Sequence, residues 1–195
     1  MKAAFFGGSF DPVHIAHLIV AERVYEELGL DKLWMVPAAQ SPHKTDKQPA
    51  AGHHRMAMLE LALQGQDHLV ASDLELTRGG ISYTLDTLEQ LWRLHGDSLE
   101  CLYLVIGADN LASFAQWHKP EEILKLAHLA IVGRPSYQPD LPQFVDANQC
   151  ARVDIPLCEI SSSEIRQRIK AGASFRYRVP DSVHDYIIRH NLYRS

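Results

Sequence analysis

Cysteine is scarce in this chain. There are three, Cys101, Cys150 and Cys158, with no C-x-x-C among them. An odd, scattered set excludes a disulfide framework and a thiolate zinc site. Long apolar runs are also missing, and no stretch approaches the roughly 20 residues of a membrane-spanning helix. The opening MKAAFFGGSFDP breaks at glycines too early for a secretion signal, so a cytoplasmic protein is expected. No excess of basic residues exists either. The net charge of −5 argues against a broad nucleic-acid surface while leaving room for a local basic pocket. There is no repeat and no low-complexity tract. The dinucleotide fingerprint G-x-G-x-x-G is absent, which excludes an ordinary nicotinamide-dependent dehydrogenase. No carboxylate cluster marks a protein-built metal cage.

What is present is an ordinary globular composition, 46% hydrophobic and 22% charged, over 195 residues. That length suits a single domain, with about residues 160–195 forming a small helical C-terminal part. Ala3–Phe6 reads as a buried strand ending at Gly7 and Gly8. A helix should follow, with Asp11 as its cap and Pro12 in its first position. Val13, Ala16, Val20, Val24 and Leu28 mark its apolar face, and Gly29 ends it. Further strands are expected at 33–36, 68–76, 102–106, 129–132 and 152–157. Helices are expected at 55–63, 83–94, 163–170 and 181–189. The segment 38–52 is a long polar loop of the kind that carries function. Short apolar strands alternating with helices predict an α/β fold, a parallel sheet with helices on both faces. Ligands of such sheets bind beyond the carboxyl ends of the strands.

Two segments carry chemistry. The first, GGSFDPVHIAHL, places Gly7 and Gly8 before a helix start, with Ser9 and Phe10 in the turn. His14 and His17 lie three apart, on one face near the positive end of the helix dipole. Two imidazoles there suit phosphoryl oxygens. Zinc would need a third ligand, and none has suitable spacing. The second, EISSSEIRQRIKAG, fits a capping box of Ser161 and Glu164. It adds the hydroxyls of Ser162 and Ser163 and the guanidinium of Arg166 at the same helix start. That combination suits a polyphosphate.

GGSFDPVHIAH resembles the G-x-F-D-P-x-H-x-G-H signature of the nucleotidyltransferase superfamily, with Ala16 where glycine is usual. The segment ISSSEIR resembles that superfamily's I-S-S-T-x-I-R motif. Several more blocks resemble the bacterial nicotinate-mononucleotide adenylyltransferases. They are Ser41-Pro42-His43-Lys44, the helix of Arg55 and Met58, Ser82-Tyr83-Thr84 with Asp86-Thr87-Leu88, Ile106-Gly107-Ala108-Asp109 with Trp117, Gly133-Arg134-Pro135, and the ending from Val179-Pro180 to Leu192-Tyr193. The resemblance implies a Rossmann-like nucleotidyltransferase that moves AMP from ATP to nicotinate mononucleotide, releasing pyrophosphate. It implies catalytic roles for His14, His17, Lys44 and Arg166. ATP would meet Gly7, Gly8, Ser9, Phe10, Gly107, Asp109, Ser162 and Ser163. The mononucleotide would meet Thr84, Trp117, His118 and Arg134, where His118 replaces a usual tyrosine. Magnesium is expected to arrive with ATP, held by phosphates and water. The expected partners are these small molecules, with no nucleic acid and no membrane, in a monomer or homodimer. The rivals are another small-substrate member such as a pantetheine-phosphate adenylyltransferase, and a catalytically silent nucleotide sensor.

Overall fold

In this computed structural model, residues 1–42, 49–133 and 140–194 are described. The expected parallel sheet is there, covered on both faces. Its strands are β1 Lys2–Gly8, β2 Lys32–Pro37, β3 Leu69–Ala71, β4 Cys101–Gly107, β5 His128–Gly133 and β6 Cys150–Asp154. They lie in the order β3-β2-β1-β4-β5-β6, each pair parallel. The order reverses at β1, which pairs β2 on one side and β4 on the other. Loops leaving β1 and β4 therefore splay apart and open a crevice at the carboxyl edge of the sheet.

Side chains alternate across the sheet with period two. Ala4, Leu33, Met35 and Val105 face a core shared with α1 (Ile15–Leu28), α2 (Gly52–Leu63), α7 (Ser162–Lys170) and α8 (Asp181–Arg189). Ala3, Phe5, Trp34 and Leu104 face a second core, built with α4 (Thr84–His95), α5 (Ala108–Leu111) and α6 (Pro120–Leu126). The C-terminal helices join the first core through Ile165, Ile169, Val183 and Ile187, each no more than 8% exposed. Among the described residues no helix is long and apolar enough to cross a membrane.

Three local expectations are corrected. The strand expected at 68–76 is short. It pairs β2 only over Leu69–Ala71, then turns into α3 (Leu74–Arg78), whose first turn is closed by Thr77 bonding Asp73 through both main chain and hydroxyl. β1 does not stop at the glycines but runs through Gly8. A Cβ on Gly7 would come 2.8 Å from the Phe5 ring, and one on Gly8 3.0 Å from the Phe10 ring. Tight packing against aromatic rings, beyond any approach to a phosphate, therefore requires these glycines. Finally, α1 begins at Ile15 with His14 in the capping position, so Asp11 and Pro12 lie outside it. Asp11 is buried and spends its carboxylate on distant partners. Gly29 does end α1, in the left-handed conformation at φ 55°.

Candidate active site

His14 and His17 meet at the mouth of β1. As N-cap and third residue of α1, their rings stack 3.6 Å apart. The His14 main-chain N–H donates to His17 Nδ1 at 3.2 Å. An accepting Nδ1 leaves the proton of a neutral His17 on Nε2, which is thereby a donor. Behind His17 stand Phe10, with ring centroids 5.0 Å apart, and Phe6 at 6.2 Å. His14 is 5% exposed, and its Nδ1 has no hydrogen-bond partner among the described residues. Burial pulls its pKa from 6.5 down to about 4, so the ring is neutral near pH 7. A buried nitrogen without a partner is costly in isolation and calls for a ligand or water.

The start of α7 docks on the Asp11–Pro12 turn that leads into this pair. Ser161 caps the helix by accepting from the Glu164 N–H. The Glu164 carboxylate turns instead to Arg178, 3.1 Å away. The Ser162 hydroxyl donates to the Pro12 carbonyl at 2.9 Å. Arg166 donates through Nη1 to the Asp11 carbonyl at 2.6 Å and through Nη2 to Ser163 Oγ at 3.1 Å. Two motifs some 150 residues apart are thus bolted together directly.

A crevice of about 850 Å³ opens beside them. Gly7, Gly8 and Ser9 form its floor, and Tyr83, Thr84, Trp117 and His118 its far wall. Thr84 is the first residue of α4, whose opening turn carries N–H groups with no partner inside the helix. That start is pinned by Ser82, which accepts from the Ala39 N–H at 2.9 Å and donates its own N–H to the Gln40 carbonyl. Trp117 leans edge-on against the buried Phe114 ring at 5.4 Å, and His118 lies 4.5 Å from the Tyr83 ring. Beneath the wall, Thr87 donates to the buried Glu75 carboxylate at 2.6 Å and accepts from Arg78.

A cytidylyltransferase-like family model matches residues 5–168. A protein of Salinibacter ruber, named "Probable nicotinate-nucleotide adenylyltransferase", is 41% identical over all of this chain and 98% of its own length. One of the same name from Rhodopirellula baltica is 45% identical over 96% of this chain and 91% of its own. This chain belongs to the nicotinate-nucleotide adenylyltransferase family. The solved Plasmodium falciparum nicotinic acid mononucleotide adenylyltransferase, complexed with NaAD, superposes with a TM-score of 0.78. It covers 98% of this chain and 97% of its own at 23% identity, a likeness that concerns the fold.

In this member of the nicotinate-nucleotide adenylyltransferase family the expected residues fall into two groups. Gly7, Gly8, Ser9, Thr84, Trp117 and His118 share the crevice. His14, His17, Ser162, Ser163 and Arg166 lie outside that lining, around the starts of α1 and α7, which Ser162 and Arg166 tie to the Asp11–Pro12 turn. Gly107 ends β4, and the exposed Asp109 follows it in α5. The Phe10 side chain is 1% exposed and supports His17, so only its main chain could face a nucleotide. Ser162 directs its proton to Pro12, which leaves Ser163 as the exposed hydroxyl. Lys44 and Arg134 lie outside the described residues. The sequence assigns Asp11, Tyr193 and Glu75 no site role: it offers Asp11 as a helix cap and Tyr193 only as part of the resembling C-terminal ending, and no local pattern links either to Arg166.

Proposed function

We propose that this chain transfers AMP from ATP to nicotinate mononucleotide, giving nicotinate adenine dinucleotide and pyrophosphate. The observation that carries the reading is the joining of two unlike half-sites at the switch point of the sheet. One half is a stacked imidazole pair beside a guanidinium. The other is an aromatic-walled crevice with a helix N-terminus on its rim. The names of full-length relatives at about 40% identity point the same way.

The acceptor needs no activation. Its phosphate is already a nucleophile at neutral pH, so the chain's work is alignment and charge neutralisation. A phosphate oxygen of the mononucleotide forms a bond to the α-phosphorus, the α–β bridging bond breaks, and pyrophosphate leaves with that electron pair. His17, donating through Nε2, and His14, whose buried Nδ1 has no hydrogen-bond partner among the described residues, supply hydrogen bonds to phosphoryl oxygens at that centre. Arg166 and Ser163 hold the β- and γ-phosphates, and Lys44 adds a further charge. Gly107 and Asp109 serve the nucleotide ribose. Trp117 offers its face to the pyridine ring, while N–H groups near Thr84 and at the Trp117–His118 step receive the carboxylate. Arg134 completes the acceptor side.

Among the described residues no three His, Cys, Asp or Glu side chains are grouped to hold a metal. The donors at hand are imidazoles, hydroxyls and a guanidinium, which suit phosphate oxygens. Magnesium, carried in on ATP by phosphates and water, would neutralise the charge of the departing pyrophosphate. The test is pyrophosphate release from ATP with nicotinate and nicotinamide mononucleotides side by side. Absence of release with either would sink the reading.

A further inference from the structure

One carboxylate joins four parts of the molecule that are remote in sequence. Asp11 Oδ1 accepts from the Tyr193 hydroxyl at 2.8 Å and from the Ala50 N–H at 3.0 Å. Asp11 Oδ2 stands 3.5 Å from Arg166 Nη1, and the same nitrogen donates to the Asp11 carbonyl. Arg55, 2% exposed, lies within electrostatic reach of Asp11 and ties the Ala50 and Ser9 carbonyls together. The carboxylate is 6% exposed at the residue level, so it is held by these partners more than by water.

We propose that Asp11 is a positioning residue for Arg166, and that the Tyr193 hydroxyl holds Asp11 in the orientation that this requires. The inference rests on the reading of Arg166 as a polyphosphate-binding residue. A guanidinium carries five N–H donors in one plane. Here Nη1 is committed to Asp11 and Nη2 to Ser163, which fixes that plane and leaves its remaining donors for phosphate oxygens. Without such a clamp the long, flexible arginine side chain samples many rotamers, and a ligand must order it on arrival. Charge supports the same role. Asp11 interacts with both Arg166 and the buried Arg55, so it secures Arg166 while the trio keeps a net positive charge.

Tyr193 is suited to the task because its proton does not leave. Burial and the adjacent carboxylate push the phenol far above its usual range, so it donates at every working pH. Its backbone takes the left-handed conformation at φ 64°, and its hydroxyl reaches Asp11. Tyrosine at this position is otherwise dispensable as bulk, since phenylalanine fills nearly the same space.

The test is steady-state kinetics on Tyr193→Phe, Arg166→Ala and the double variant, with thermal melting of each. Losing one bond to a charged acceptor should raise the ATP KM about 5-fold in Tyr193→Phe, with the mononucleotide KM within about twofold of wild type. In the Arg166→Ala background, adding Tyr193→Phe should change the ATP KM less than about twofold, because the residue it acts through is gone. Asp11→Asn keeps the acceptor for Ala50 and Tyr193, removes the charge opposite Arg166, and should show the same split between substrates. A Tyr193→Phe enzyme that only melts lower, with both KM values unmoved or raised equally, overturns the proposal. So does an effect of equal size in the double variant. If Arg166→Ala itself leaves the ATP KM unchanged, the placement of Arg166 at the polyphosphate is what fails, and this inference falls with it.

Discussion

Acidification should destabilise the ligand-free protein through His14. The ring is buried as the neutral form, with a pKa of about 4 against 6.5 in an exposed state. Between those values the unfolded chain binds a proton that the folded chain refuses, so stability rises with pH there and is lost as pH falls. The full effect, reached below pH 4, is about 3 kcal/mol, and about 2 kcal/mol of it is already lost on going from pH 7 to pH 5. For a chain of this size that corresponds to roughly 4–8 °C in Tm. The assay is thermal melting from pH 8 to pH 4 of wild type against His14→Gln, which cannot titrate. His54, whose basicity is lowered by desolvation and by His53 and His190, is common to both proteins and drops out of the difference. The variant's curve should be flatter by that amount. A phosphate hydrogen-bonded to the His14 ring would favour its protonated form, so ATP binding near pH 6 should take up a proton, visible as a buffer-dependent heat. Parallel melting curves for the two proteins would refute the argument.

Further outcomes follow from the same geometry. His17→Ala should fold normally and lose roughly 10²-fold or more in kcat, the scale of one charge-stabilising donor; near-normal turnover in a folded variant contradicts its role. Nicotinate mononucleotide should be preferred over the amide by on the order of 10- to 1000-fold in kcat/KM. An amide NH₂ facing N–H donors leaves both unpaired at about 1–3 kcal/mol each. Equal use of both would remove the donor-pocket argument. Trp117→Ala should raise the mononucleotide KM and spare that of ATP, measured by varying each substrate in turn. Phe114→Ala should cost about 3–5 kcal/mol in denaturant melts, because the ring is fully buried, and should weaken the same substrate by removing the support behind Trp117.

The parts of this molecule legible in the sequence are those encoded within a few residues. The Ser161 cap and the Gly29 terminus are such local signals, and the His14/His17 pair does meet, but through His14 as the extended N-cap of α1 and not as a residue on the helix face. The apolar strands were legible because a parallel sheet buries both faces and leaves continuous runs such as Leu102–Ile106. Asp11 was misread for the opposite reason. An aspartate before a proline is locally a good helix cap, but its carboxylate is claimed by Tyr193, Ala50 and Arg166, and nothing nearby in sequence announces partners that far off. The strand expected through Leu76 failed similarly. Its apolar content is real, yet the edge of the sheet offers β3 a neighbour on one side only, and after three paired residues a helical turn satisfies the backbone better.

The hub at Asp11 also has a consequence for biosynthesis. β1 is central in the sheet and emerges from a ribosome before the other strands, yet the Asp11–Tyr193 contact spans 182 positions. Sheet pairing and the imidazole stack can form on a nascent chain well before residue 193 is added. A fragment halted after β6 would hold both histidines and the crevice while lacking α7, Arg166 and the tyrosine that braces it. Contacts of such separation are late and slow to form. Truncated products would therefore be compact and unable to grip a triphosphate.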